Sequence, residues 1–187
     1  DRSTLLTTLA DSGKVMIWAY KMPAKEGDPV TRRNLFSDDA VHGNGVFSPD
    51  GRVMAYQSTE TGKAEVYACG WAGDGLIGQP IMVSRGGGEI PRWGHDGKHL
   101  YYSAQGKLMS TEITSKPTLS ASPPILAWNL AALRVPPNGL GSGLFDILPD
   151  GRLLAVQGTE EEEIPSQFNL VLNFDDVVKQ RMRAAGK

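Results

Sequence analysis

The chain has 187 residues, with 22 Gly and 12 Pro, 40% hydrophobic residues and a formal net charge of −2. That composition describes a turn-rich globular β protein with ample apolar material for a core, and it lacks the basic excess that nucleic-acid binding requires. No apolar stretch reaches the length of a membrane span, and a lone cysteine, Cys69, excludes an internal disulfide framework and a multi-cysteine zinc site.

Taken in chain order, the first predicted strands cover residues 4–9, 15–20 and 31–36. A second group covers 45–47, 53–57, 65–69 and 81–84, and a third covers 92–93, 99–103, 107–112 and 125–129. The last group covers 144–147, 153–157 and 169–173. Asn173 then caps a short predicted helix, with Asp175 and Asp176 in its first turn and Lys179, Arg181 and Arg183 near its end, each sign matching the helix dipole. Phe174, Val177, Val178 and Met182 give that helix an apolar face.

The groups are related by a repeat. Phe47-Ser48-Pro49-Asp50-Gly51-Arg52, Trp93-Gly94-His95-Asp96-Gly97-Lys98 and Ile147-Leu148-Pro149-Asp150-Gly151-Arg152 each place Asp-Gly three residues after a large apolar residue. The turn aspartates lie 46 and 54 residues apart, the spacing of four-stranded propeller blades with one loop insertion. Proline presets the turn, Asp bonds the local main chain, and Gly accepts the positive φ of a hairpin closure. After each turn the columns Met54/Leu100/Leu154, Ala55/Tyr101/Ala155 and Tyr56/Tyr102/Val156 align without gaps. Consecutive apolar residues of this kind suit a strand buried on both faces, as between stacked blades.

Aligning Gly13 with Gly62 also puts Asp1 on Asp50, Lys14 on Lys63, Ile17 on Val66 and Trp18 on Tyr67. On that alignment the expectation is a piece of a longer polypeptide, opening at the turn aspartate of a repeat whose first strand lies upstream. Localisation is then not readable from the N-terminus.

The Phe-Ser-Pro-Asp-Gly-Arg repeat resembles the TolB-like, or WD40-like, β-propeller repeat of bacterial proteins, over nearly the whole chain. The ending is similar to the C-terminus of propellers in bacterial multidomain proteins: Phe145-Asp146-Ile147-Leu148-Pro149-Asp150-Gly151-Arg152, a Glu-rich loop, Pro165-Ser166-Gln167, Leu170-Val171-Leu172-Asn173-Phe174 and a short helix closing at Gly186-Lys187. Phe174 stands where that ending commonly carries tryptophan. The resemblance implies a non-enzymatic sensing or protein-interaction module, extracytoplasmic, within a larger regulatory protein that carries a serine/threonine kinase or DNA-binding domain. Other classes of propeller are the accessory domain of a serine peptidase or other hydrolase, and a carbohydrate-active enzyme.

The expected fold is therefore all-β: a propeller of four-stranded antiparallel blades, about four sheets with the first and last incomplete, over residues 1–174 in segments of about 1–36, 37–84, 85–135 and 136–174. Residues 175–187 form the helix and tail. The end sheets of such a piece call for cover by N-terminal blades or a second chain.

No residue pattern requires a catalytic group, metal or cofactor. His42, His95 and His99 lack ligand spacing, and there is no Gly-x-Ser-x-Gly elbow. Arg85-Gly86-Gly87-Gly88-Glu89 lacks the Gly-Lys-Ser/Thr ending of a phosphate loop and opens onto a strand, so it reads as a flexible connection with no anion for its amides. The carboxylate run 160–163 reads as a solvated hairpin loop. Binding is expected where a propeller gathers its loops, here 38–44, 85–89 and 137–142 with the hairpins at 60–62, 105–106 and 160–164. Asp38, Asp39, His42, Asn44, Arg85, Glu89 and Arg92 are the candidate surface for a protein partner or small polar ligand. The segment 125–135, bracketed by paired prolines and carrying Trp128, is a decorated outer strand or an exposed patch.

Overall fold

The Asp-Gly turns close their hairpins through the same bonds. The amide of Gly51, Gly97 or Gly151 donates to the carbonyl three residues back, at 2.8, 3.0 and 2.8 Å, and the three glycines take φ of 70°, 68° and 81°. Each aspartate then accepts the amide two residues on: Arg52 to Asp50 at 3.1 Å, Lys98 to Asp96 at 2.9 Å and Arg152 to Asp150 at 3.1 Å. Only glycine enters that left-handed region without steric cost, so the repeat keeps it.

The computed structural model describes residues 3–11, 13–73, 75–130, 132 and 145–156. Among them there is no helix, hence none long and apolar enough to cross a membrane, and the strands form four antiparallel sheets. Sheet 1 comprises β1 (Thr4–Asp11), β2 (Lys14–Lys21) and β3 (Thr31–Asn34), in that order. Sheet 2 is β4 (His42–Phe47), β5 (Val53–Ser58), β6 (Glu65–Trp71) and β7 (Leu76–Met82). In sheet 3, β8 (Glu89–Trp93), β9 (His99–Ala104) and β10 (Lys107–Thr114) are consecutive; β11 (Ser120–Ala121) and β12 (Ile125–Asn129) share the outer edge of β10. Sheet 4 is described for β13 (Phe145–Ile147) and β14 (Leu153–Ala155). The predicted strand at 169–173 and the C-terminal helix lie outside the described residues.

The sheets stack face to face in chain order. Ile17 and Ala19 of sheet 1 pack on Met54, Tyr56, Tyr67, Cys69 and Trp71 of sheet 2. The other face of sheet 2 presents Val53, Ala55, Val66, Ala68 and Val83 to Trp93, Leu100, Tyr102 and Ile113 of sheet 3. Leu108 and Leu130 of sheet 3 meet Phe145 and Ile147 of sheet 4. Val53, Met54, Ala55 and Tyr56 are all buried, as the unbroken apolar run predicts, because successive side chains enter two different cores. Full burial of each larger side chain contributes roughly 1.5–3 kcal/mol.

Sheets 2 and 3 repeat in detail. The bulge between Gly43 and Val46 recurs between Glu89 and Arg92, and Asn44 and Ile90, 46 residues apart, both have φ of 53°. The bulges carry β4 and β8 back beyond the predicted 45–47 and 92–93.

Sheet 4 departs from the gapless alignment. Leu148 N–H bonds the carbonyl of Arg152, whereas Ser48 and Gly94 bond residues five positions on. The shorter turn pairs Ile147 with Leu153, while Phe47 pairs with Met54 and Trp93 with Leu100. A one-residue slip exchanges the two faces of a strand, so Leu154 is 57% exposed where Met54 and Leu100 are buried.

Candidate functional site

One end of the stack gathers the β1–β2, β5–β6 and β9–β10 hairpins with the connections from β3 to β4 and from β7 to β8. Contacts between them are explicit. Lys14 pairs with Asp39, Asn44 N–H donates to Thr8 Oγ1 at 3.0 Å, Val41 N–H to Thr59 Oγ1 at 2.9 Å, and Gln105 Nε2 to the Gly86 carbonyl at 3.1 Å. Gln57 Oε1 accepts from Asn44 Nδ2 at 3.0 Å and from the Ile90 amide at 3.4 Å, joining the bulges of sheets 2 and 3. This is the end at which the sequence places its binding loops.

The first connection is built around His42. The imidazole is 1% exposed and stacks on Phe36 with ring centroids 3.8 Å apart and planes 8° from parallel. Tyr56 closes the cluster, its centroid 4.8 Å from Phe36 and 6.1 Å from His42. Burial raises the Tyr56 phenol, keeping it neutral. His42 Nε2 lies 2.7 Å from Asp38 Oδ1, which also accepts the Ala40 amide at 2.9 Å. Burial pushes the Asp38 carboxyl upward, but the bonds from His42 and Ala40 outweigh it and hold the group below its ordinary value. Ionised Asp38 can only accept, so Nε2 carries the proton. Nδ1 has no partner among the described residues.

The second connection is built around Glu65. Its side chain is 2% exposed at the start of β6. Oε1 accepts the amides of Gly86 and Gly87 at 3.0 and 2.9 Å, and Lys63 Nζ stands 3.5 Å away. Oε2 accepts the Ser84 hydroxyl at 2.5 Å, and Ser84 Oγ in turn accepts the Val66 amide at 2.7 Å. Desolvation raises the carboxyl, yet the bonds from Ser84, Gly87, Gly86 and Lys63 prevail and its pKa is lowered. Gly86 and Gly87 have φ of 91° and 112°, a conformation that aims successive amides at one anion. The glycine run therefore does hold an anion, contrary to the sequence reading, but the anion is the protein's own.

The seven candidate residues separate. Asp38, Asp39, Arg85 and Glu89 are exposed at this end. His42 is core, which corrects its expected place on the surface: Phe36 and Tyr56 enclose the ring. The Asn44 amide is spent on Gln57. Arg92 is half-buried; its guanidinium donates to the Pro91 carbonyl at 2.9 Å, stands 6.0 Å from the Phe145 ring, and has its pKa lowered by desolvation. It serves the interface between sheets 3 and 4. The loops at 137–142 and 160–164, with the carboxylate run, lie outside the described residues.

Of the other histidines, His99 Nδ1 pairs with Asp96 Oδ2 at 2.5 Å across the turn, and His95 is exposed. Burial raises the Asp96 carboxyl and the His99 and Lys98 bonds lower it further, to about 2. Among the described residues no three metal-ligating side chains converge. Trp128 in β12 packs on Tyr101 with centroids 5.9 Å apart, while Ile125 and Leu126 are 67% and 55% exposed, so the proline-bracketed strand is both an added outer strand and an apolar surface. Sequence reasoning missed Glu65 and Ser84. The one available signal was a glutamate heading a run of buried residues, Val66 to Cys69. No protein-family model matches the chain, and no curated protein sequence matches it.

Proposed function

We propose that the four stacked sheets are consecutive blades of a TolB-like β-propeller, and that the chain is a non-enzymatic binding or sensing module of a larger, extracytoplasmic bacterial regulatory protein. The serial stacking and the 46-residue recurrence of strand, bulge and turn support the propeller. One observation carries the functional reading: at the loop end His42 Nε2, the Glu65 carboxylate and the Ser84 hydroxyl are spent on fixing the loops. What remains for a partner is a rim displaying Arg85 and Glu89, with Asp39 exposed beside Lys14. Ordered loops on a fixed scaffold lose little entropy on association, which suits a protein partner or a small polar ligand.

The test is a charge-reversal variant carrying Asp39→Lys, Arg85→Glu and Glu89→Lys, none of which touches the buried set. It should unfold at the native temperature but lose roughly tenfold or more in affinity for a partner captured by the native chain. Undiminished capture by the variant would move the binding surface elsewhere.

A further inference from the structure

At the opposite end from the loop rim lies a cleft of about 230 Å³ between sheet 1 and the β6–β7 hairpin, open to solvent on one side. Strand register decides what enters it. Lys21 pairs with Thr4 and with Thr31, and Ala19 pairs with Arg33. Directly paired residues and alternate residues share a face, so all five line the side of sheet 1 that looks toward sheet 2. Sheet 2 supplies the far wall as Trp71, 7% exposed and braced edge-on by Phe47 at 4.9 Å. Neither Lys21 nor Arg33 makes an ion pair with a described carboxylate.

Arg33 is seated by the absence of a side chain opposite it. A Cβ on Gly75 would fall 2.0 Å from Arg33 Nη2 and 3.1 Å from Cζ, so the guanidinium occupies the space that a side chain there would fill. Gly75 does not have the positive φ that would otherwise explain a glycine there.

We propose that this cleft binds a small organic anion, a carboxylate or phosphate carried on a single ring. The guanidinium of Arg33 forks the anion, with Lys21 as the second cation and Thr31 as a hydroxyl donor; the ring lies against Trp71 and Ala19. The volume is below the roughly 300–1,000 Å³ of pockets for drug-sized ligands, which limits the occupant to about one ring and its charged group. The site is independent of the loop rim.

Titration of the intact chain with phenyl phosphate, benzoate and neutral benzyl alcohol, followed by NMR at the Trp71 indole and the Gly73 and Gly75 amides, tests it. Saturable shifts are expected with one or both anions and not with the alcohol, and the preferred anion identifies the headgroup. Lys21→Gln and Arg33→Gln, both at exposed side chains, should each weaken binding by roughly tenfold. Gly75→Ala should weaken it too by displacing Arg33, with the rest of the spectrum unchanged. Equal shifts with benzyl alcohol, no saturable shift with either anion, or native affinity in Arg33→Gln would each overturn the proposal.

Discussion

Between sheets 1 and 2 the chain crosses over a stacked Phe36–His42 pair; between sheets 2 and 3 the corresponding places hold Ser84 and Gly88. The correspondence is structural. Leu35 N–H bonds the Ile17 carbonyl as Val83 N–H bonds that of Val66, 49 residues on, so Phe36 matches Ser84. The 46-residue register of β4 and β8 matches His42 with Gly88 and Tyr56 with Tyr102. A third pair follows: Met16, which accepts from Asn34 Nδ2, stands where sheet 2 has Glu65. One interface is filled by Phe and His, the other by Ser and Gly with the Glu65 carboxylate, while Met16 lies on the face of β2 opposite Ile17 and Ala19. Volume in the first is replaced in the second by a carboxylate with every oxygen bonded, and the tyrosine beside it is common to both. Each set works as a unit, because one member of either set placed in the other would clash or leave a polar group unpaired.

The largest expected effect tests that unity. Glu65→Leu leaves the Gly86 and Gly87 amides and the Ser84 hydroxyl without their acceptor, and should cost about 3 kcal/mol in urea unfolding at unchanged m-value. Met16→Leu, the change at the matching position of β2, conserves volume and should cost under about 1.5 kcal/mol. If Glu65→Leu proves the cheaper, the second connection is not held by its carboxylate.

Gly88→Ala comes next. A Cβ there would lie 2.4 Å from Ser84 Oγ, 2.5 Å from Ser84 Cβ and 3.2 Å from the Tyr102 ring, and Ser84 cannot retreat without releasing Glu65. Overpacking of this kind should cost about 1–3 kcal/mol and lower Tm by several degrees. Gly43, the glycine beside His42, has its nearest would-be neighbour, Thr8 Cγ2, at 3.5 Å, so Gly43→Ala should cost less than about 1 kcal/mol. Equal melting of the two variants would break the distinction between a filled and an open interface.

The parts of this design that were legible in the sequence are the local ones. Asp50-Gly51, Asp96-Gly97 and Asp150-Gly151 declare themselves because turn chemistry is written in adjacent residues, and β5 and β9 because both their faces are apolar. Strand Ile125–Asn129 matched its predicted bounds. Strand β7 was misplaced at 81–84: Leu76–Met82 is an outer strand, mostly exposed and interrupted by Gly78 and Pro80, so no hydrophobic period marks it. The site was harder. Glu65 meets partners about 20 residues away through backbone amides, which carry no sequence signature, and His42 is buried by Phe36, whose contact depends on how two sheets stack.

The smallest effect separates the two connections by pH. Both Asp38 and Glu65 have carboxyl pKa values lowered by folding, so each contributes stability that is present above its unfolded pKa and lost as pH falls through the folded one. Asp38 is 54% exposed, and solvent screening limits its share to under about 1 kcal/mol. Asp38→Asn should therefore be slightly less stable than the native chain at neutral pH. The gap should begin to narrow as pH drops below about 4, where the unfolded carboxyl protonates, and vanish only once pH falls below the lowered folded value. The second connection, with Glu65 intact, should retain its own acid sensitivity in that variant, readable as faster hydrogen exchange at the Gly86 and Gly87 amides on acidification beyond the intrinsic pH dependence. A stability gap that persists unchanged to pH about 3 would mean that Asp38 acts through shape alone, and that His42 holds its place by stacking on Phe36.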